Sequence, residues 1–285
     1  AGHQLTSGYE NVMLGKDSLK ENTTGFRNVT IGQGAAQCMQ TGCCNVAIGY
    51  EALMGSSTVS SNTGDSNVAL GYYAGRGLSS GCKNNFIGFR AGQAVTTGCC
   101  NTFIGNYAGG AITTTSFNIM IGDCAGRCST TTGSQNIYLG QAAGRCTSST
   151  GSDNIFQGYY AGYCNTSGHS NVFLGKCAGK SLTSGGCNIF LGANAGAAGV
   201  VTGSDNIAFG RAAGYSLTSG GENIFLGTFA GRDNTTGCCN IAIGYEASRC
   251  TTDQRDNIAM GMRAAKCATG SFNISMGFCG GYKAT

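Results

Sequence analysis

One asparagine sets the frame for everything else in this chain. It falls at Asn11, Asn28, Asn45, Asn67, Asn84, Asn101, Asn118, Asn136, Asn154, Asn171, Asn188, Asn206, Asn223, Asn240, Asn257 and Asn273. Fourteen of the fifteen spacings are 16 to 18 residues. The exception, 22 residues between Asn45 and Asn67, places an irregular insertion near 54–63. The repeat unit is N-[IV]-x-[IL]-G-x-x-A-G, met with substitutions in several laps, and then about eight polar, glycine-rich residues. A unit of this length is too short for a strand–helix–strand crossover, which needs about thirty residues. It suits one coil of a stacked solenoid. The predicted fold is therefore all-β, a parallel β-solenoid (β-roll or β-helix) of about 16 coils with a repeat of ~17 residues. One repeat domain is expected over 1–285. At a rise of about 4.8 Å per coil, the stack is expected to extend roughly 75–80 Å.

Composition removes the alternatives. Gly makes up 50 of 285 residues without a G-X-Y period, which excludes collagen. Apolar residues at 41%, regularly spaced, argue against low-complexity disorder. The net charge of +4 comes without runs of Lys or Arg, so neither nucleic acid nor a membrane surface is an expected partner. No apolar stretch has the length of a membrane span, so no membrane insertion is expected. A start at Ala1 rather than Met fits a processed, mature chain or simply a trimmed one.

Recurring positions carry physical meaning. Gly stands four residues after the repeat asparagine in all sixteen units, from Gly15 to Gly277. Such a position needs a positive φ or very close backbone approach. Ala recurs seven residues after the asparagine, as at Ala35, Ala108 and Ala230, and points to a tight space. The asparagines themselves should stack into a ladder of amides. A strand covers residues such as Asn188–Gly192, a second extended run is expected over the Ala-Gly part, and a turn at T-[ST]-G.

Side chains alternate across a strand. The first and third residues after the asparagine, such as Ile189 and Leu191, are expected to fill the solenoid's own core. The second residue then points outward, and it includes Phe86, Phe103, Phe156, Phe173, Phe190 and Phe225. An outward phenylalanine ribbon exceeds what monomers leave exposed. It is therefore expected to be an interface, with a homo-oligomer, foremost a parallel trimer, as the partner arrangement. The other reading covers it with a second layer of the same chain. Neither terminus has room for a polar cap, so end-to-end stacking into a filament is expected, the other reading being that caps were removed or lie on a larger parent chain.

Seventeen cysteines favour an oxidising compartment, and the odd number leaves one unpaired or bonded to another chain. Read by phase in the repeat, Cys82 and Cys99 fall one lap apart, as do Cys250 and Cys267. Cys146 falls one lap from both Cys128 and Cys164. Equivalent positions in adjacent coils lie within disulfide range, which makes all seven candidate disulfide partners. Cys43, Cys44, Cys100, Cys238 and Cys239 belong to vicinal pairs at corners and are candidates for inter-chain bonds. With no C-x₂-C pair and only His3 and His169, zinc spacing is lacking, and no metal or other cofactor is expected.

The segments Asn45–Leu53 (N-V-A-I-G-Y-E-A-L) and Asn240–Ser248 (N-I-A-I-G-Y-E-A-S) resemble the head repeats of trimeric autotransporter adhesins. They are also similar to the N-x-x-I-G-x-x-A-G repeats of phage and large-virus tail fibres. The resemblance implies a parallel β-roll, usually trimeric, on a surface fibre. Head repeats in those families are typically shorter and rarely rich in cysteine.

Catalysis is not expected. Gly77–Gly81 matches G-x-S-x-G but lies in a repeat loop with no following helix and no histidine partner. Asp153, Asp205 and Asp256 each precede a repeat asparagine and read as corner residues rather than calcium ligands. Asn22, Asn165 and Asn234 begin N-x-[ST] sequons eleven residues after a repeat asparagine and are expected to be exposed glycosylation candidates. The expected function is a structural subunit of an extracellular filament or surface fibre on a cell or virion. A receptor- or glycan-binding segment, using Tyr72, Tyr73, Tyr159 and Tyr160, is the alternative. An ice-binding solenoid would need a flat threonine array, which the coils interrupt at Gln40 and Ala268.

Overall fold

A computed structural model describes residues 1–56, 62–127, 130–131, 133–145 and 148–282. It is a parallel β-solenoid whose sixteen main strands are each three residues long and lie about one repeat apart. The chain forms two compact units: Ala1–Gln141 with Thr147–Ser149, and Ala142–Cys146 with Thr150–Thr285. The first holds β1 (Val12–Leu14), β2 (Val29–Ile31), β3 (Val46–Ile48), β4 (Val68–Leu70), β5 (Asn85–Ile87), β6 (Thr102–Ile104), β7 (Ile119–Ile121), β8 (Thr130–Thr131), β9 (Ile137–Leu139) and β10 (Ser148–Ser149). The second holds β11 (Ile155–Gln157), β12 (Val172–Leu174), β13 (Ile189–Leu191), β14 (Ile207–Phe209), β15 (Ile224–Leu226), β16 (Ile241–Ile243), β17 (Ile258–Met260) and β18 (Ile274–Met276). Within each unit successive laps pair parallel and in register, Val172 with Ile189 and Phe173 with Phe190, for example. The small strands β8 and β10 pair with each other.

Two backbone reversals keep the strands short. The residue before each repeat asparagine is left-handed, with φ between 54° and 64° from Glu10 to Phe272. The glycine after each strand has φ between 92° and 139°. Both reasons for an obligatory glycine hold at once. A Cβ on Gly175 would lie 2.7 Å from the carbonyl carbon and oxygen of Gly192 on the next lap. The Ala-Gly part is a chain of tight turns rather than the second extended run expected there, with bonds such as Ala178 N–H to Gly175 O at 3.2 Å. These turns also donate to the next lap, as Gly179 N–H does to Ala195 O at 2.9 Å.

The asparagine ladder forms as expected. In the second unit Asn188 Nδ2 donates to Asn171 Oδ1 at 3.1 Å and to Gly203 O at 3.0 Å. Its Oδ1 accepts from Asn206 N–H and Nδ2, both at 3.0 Å. The same pattern joins Asn67, Asn84 and Asn101 in the first unit. These amides are buried yet satisfied, so they direct the register without the cost of orphaned polar groups.

The orientation of the strands reverses the sequence expectation. Phe86, Phe103, Phe156, Phe173, Phe190 and Phe225 are all fully buried and form the solenoid core, not an outward ribbon. Phe173 stacks on Phe156 at 4.8 Å and on Phe190 at 4.9 Å between ring centroids. The reason lies across the lap. Each ring rests on the glycine eight residues after the asparagine (Gly92, Gly109, Gly162, Gly179, Gly196 or Gly231), where any Cβ would collide with it. The first and third residues of each strand, expected inside, face outward instead. Residues 57–61 of the insertion expected near 54–63 lie outside the described residues; beside them, Asn62 Nδ2 donates to Cys38 O at 2.8 Å and to Ser56 O at 2.9 Å.

Candidate functional site

The outward sheet face is the most unusual surface of the molecule. Among the first and third residues of the sixteen main strands, only Asn85, Thr102 and Gln157 are polar, and none is charged. The remainder are Val, Ile, Leu, Met and Phe209. Mid-unit members such as Ile121 and Ile189 stay more than a third exposed despite neighbours above and below. Soluble proteins alternate polar residues onto a solvated sheet face, and contiguous apolar patches of this kind mark association surfaces.

Aromatic residues flank this face, but they are engaged with one another. Tyr50 stacks on Tyr72 at 5.2 Å and Tyr72 on Phe89 at 5.4 Å, with interplanar angles of 12° in both pairs. Arg76 and Arg90 approach the Tyr73 ring at 4.7 and 5.4 Å. Tyr159 and Tyr160 meet edge to face at 4.2 Å. Stacking on a sugar needs a free ring face, and the lap-to-lap packing occupies those of Tyr72.

The cysteine columns show what parallel register does to a repeated thiol. Cys82 and Cys99 lie directly above one another with Sγ atoms 2.7 Å apart. That is longer than a disulfide bond of about 2.04 Å, and the described cysteines are all thiols. The Cys82 thiol, donating to Cys99 and partly desolvated, has its pKa pushed up to about 11. Partial desolvation and a hydrogen bond with Cys267 push the Cys250 thiol, on an exposed residue, up to about 11 in the same way. Cys164 is half-buried, whereas Cys128 and Cys146 lie outside the described residues. Of the corner cysteines, Cys44 and Cys239 are exposed and Cys43, Cys100 and Cys238 half-buried.

The three sequon asparagines are not at an exposed corner. Asn22, Asn165 and Asn234 are buried, so in the folded chain they are closed to a glycosyltransferase. They occupy the inner column that Leu78, Val95, Ile112, Leu182 and Leu217 fill in other laps. Asn165 closes its own turn, donating to Gly168 O at 3.0 Å and accepting from Gly168 N–H at 2.9 Å. The amides of Asn22 and Asn234 are buried without hydrogen-bond partners.

One charge cluster escaped the sequence reading. Glu246, buried on the second unit, accepts from Lys266 Nζ at 2.7 Å and Arg263 Nε at 3.1 Å and pairs with Arg249. The bond from Lys266, with help from Arg263 and Arg249, holds its carboxyl down to about 2. Glu246 and Arg263 occupy the same phase of adjacent laps, and that phase is the signal that could have found the pair. Among the described residues no group of three His, Cys, Asp or Glu side chains is placed to hold a metal ion. Among the same described residues no helix is long and apolar enough to cross a membrane.

Comparison with family models, curated proteins and solved structures returns no match.

Proposed function

We propose that this protein is a structural, non-catalytic subunit of an extracellular filament or surface fibre, built by lateral and end-to-end association of identical copies. One observation carries the reading: the uncharged aliphatic face that repeats in lap after lap of both units. Its occupant is a second copy of the chain, because a face with a regular one-lap repeat is matched best by another face of the same repeat. Burying such a surface contributes about 25 cal/mol per Å² of apolar area. End-to-end growth uses the bonding that already joins laps. Each lap presents to the next the same asparagine amide, strand carbonyls and turn N–H groups, so two copies can pair as two laps do. The resemblance to trimeric adhesin heads and tail fibres supports a threefold lateral arrangement. Disulfides are proposed to reinforce the assembly in an oxidising surroundings.

The test compares the native protein with a variant carrying Ile189→Lys, Leu191→Lys and Leu226→Lys on the outward face. Analytical ultracentrifugation and negative-stain microscopy are expected to show oligomers and rods for the native chain. The variant should be a monomer with an unchanged circular dichroism spectrum. A native protein that stays monomeric up to high concentration would sink the proposal. Immunogold labelling of intact cells or virions checks the location, with surface fibres expected to carry the label.

A further inference from the structure

The geometry points to Cys82 and Cys99 as a paired modification site, in which Cys99 is the attacking sulfur and Cys82 the resolving one, closing an inter-lap disulfide on reaction with a small-molecule disulfide. This holds whether or not the fibre reading does, because it concerns one chain alone.

Three observations support it. The two residues share one phase of adjacent laps, and parallel register fixes their Cα atoms one lap apart, inside the range for a disulfide. Their Sγ atoms are already 2.7 Å apart, so bond formation needs a displacement of well under an ångström. The hydrogen bonding is also asymmetric. Cys99 Sγ accepts from the Cys82 thiol at 2.7 Å and from the Cys82 backbone N–H at 3.0 Å. Two donors aimed at one sulfur mark Cys99 as the acceptor of the pair, with its own thiol turned to Thr97 O at 3.7 Å, while the Cys82 proton is held in the bond between them. Elsewhere in this column the acceptor is a hydroxyl or a carboxylate. Ser116 Oγ accepts from Cys99 N–H at 3.0 Å, and Asp65 Oδ1 accepts from Cys43 N–H at 2.7 Å. The column is therefore an acceptor position, and at Cys99 a sulfur fills it.

The step balances with oxidised glutathione as the co-reactant. The Cys99 thiolate attacks one glutathione sulfur, forming a mixed disulfide and expelling one glutathione thiolate. Cys82 then gives up its proton and attacks the Cys99 sulfur, expelling the second. Two cysteine thiols are oxidised, one glutathione disulfide is reduced, and the two protons pass to the released glutathione. Both cysteines are half-buried rather than sealed, so the reagent has access.

The test uses the full, reduced protein. After exposure to oxidised glutathione and trypsin digestion without reductant, the peptide Gly77–Lys83 should appear linked to Ala91–Arg127, two hydrogens lighter than their sum. Cys99→Ser should abolish that species, and Cys100→Ser should leave it intact. With limiting iodoacetamide, label on Cys99 should exceed label on Cys82 several-fold in the folded protein and equalise in denaturant. Failure to form the link while the protein is folded by circular dichroism overturns the site. A link that survives Cys99→Ser also overturns it, by moving the bond to Cys100 or Cys124, the other cysteines of that peptide. Faster labelling of Cys82 than of Cys99 reverses the assigned roles and refutes that part.

Discussion

If the asparagine ladder is what sets the register, removing one rung should cost far more than an average surface substitution. Asn188 is the best place to test this. Truncation to Ala leaves two buried groups without a partner: the backbone N–H of Asn206, which donates to Asn188 Oδ1 at 3.0 Å, and the carbonyl of Gly203, which accepts from Nδ2 at 3.0 Å. Other members keep alternatives, since Asn171 Oδ1 still accepts from Asn188 N–H at 2.9 Å and Asn206 Nδ2 still reaches Gly220 O at 2.9 Å. Each orphaned buried group costs about 1–3 kcal/mol, so Asn188→Ala should destabilise by about 4 kcal/mol. Asn188→Asp has the same shape but replaces a double donor with an acceptor facing Gly203 O and Asn171 Oδ1. Burial among acceptors raises the carboxyl pKa in the folded state above its unfolded value. Its penalty is then full above the raised pKa and shrinks as the pH falls toward the unfolded value near 4. Urea unfolding followed by far-ultraviolet circular dichroism at pH 7 and pH 4.5 measures both effects. Asn106→Ala is the control, because among the described residues that exposed amide has one side-chain hydrogen bond, to Asp123 at 3.0 Å, and its loss should cost about 0.5 kcal/mol or less. An Asn188→Ala variant within about 1 kcal/mol of the native protein would refute the ladder as a register-setting element.

Further outcomes follow from the same geometry. Asn234→Leu should stabilise the second unit by about 1–3 kcal/mol, since it replaces an unpartnered buried amide with the residue that Leu182 and Leu217 supply in that column; a loss of stability in urea unfolding would count against the orphan assignment. Glu246, with its pKa held down to about 2, contributes stability that is present above about 4.5 and is lost as the pH falls through 2. Glu246→Gln should therefore weaken the protein at pH 7 and flatten its acid-unfolding profile between pH 4.5 and 2, and an unchanged profile would refute the ion-pair role.

How far the sequence carried the fold depends on which signal is asked. The lap length, the strand positions and the ladder were legible because each rests on a residue with few physical substitutes. Asn sets an amide donor and an amide acceptor on a short side chain that reaches the neighbouring lap on both sides, and only Gly tolerates both φ near 135° and a carbonyl of the next lap at Cβ distance, as at Gly192 and Gly49. The Ala column was legible for the same reason, and Ala35, Ala108 and Ala230 are fully buried. The glycosylation candidates failed because a sequon reports composition, not burial. The eleventh residue after the asparagine is an inner column, and its occupants Leu78, Val95 and Ile112 already said so.

The inverted strand face is the instructive failure. Alternation separates two faces but does not say which is wrapped, and here both faces are apolar. What decides is size complementarity across the lap. Wherever the second strand residue is Phe, the eighth residue after the asparagine is Gly; where it is Ala in the lap of Asn45, the eighth is Leu53, and in the lap of Asn28, Thr30 faces Ala36. Where both positions are small, as at Ala69 with Gly75 and Ala208 with Gly214, the rings of Phe86 and Phe225 on the next lap take up the space, so the glycine position and the phenylalanine share one interior and the ring must point across the coil. The consequence runs straight to function. With the aromatic rings inside, the outward face is a ladder of Val, Ile, Leu and Met in nearly every lap instead of six rings on a stripe of mixed residues. A repeating aliphatic ladder is a more regular surface than the expected ribbon, and regularity along the stack is what an identical neighbour can match lap for lap.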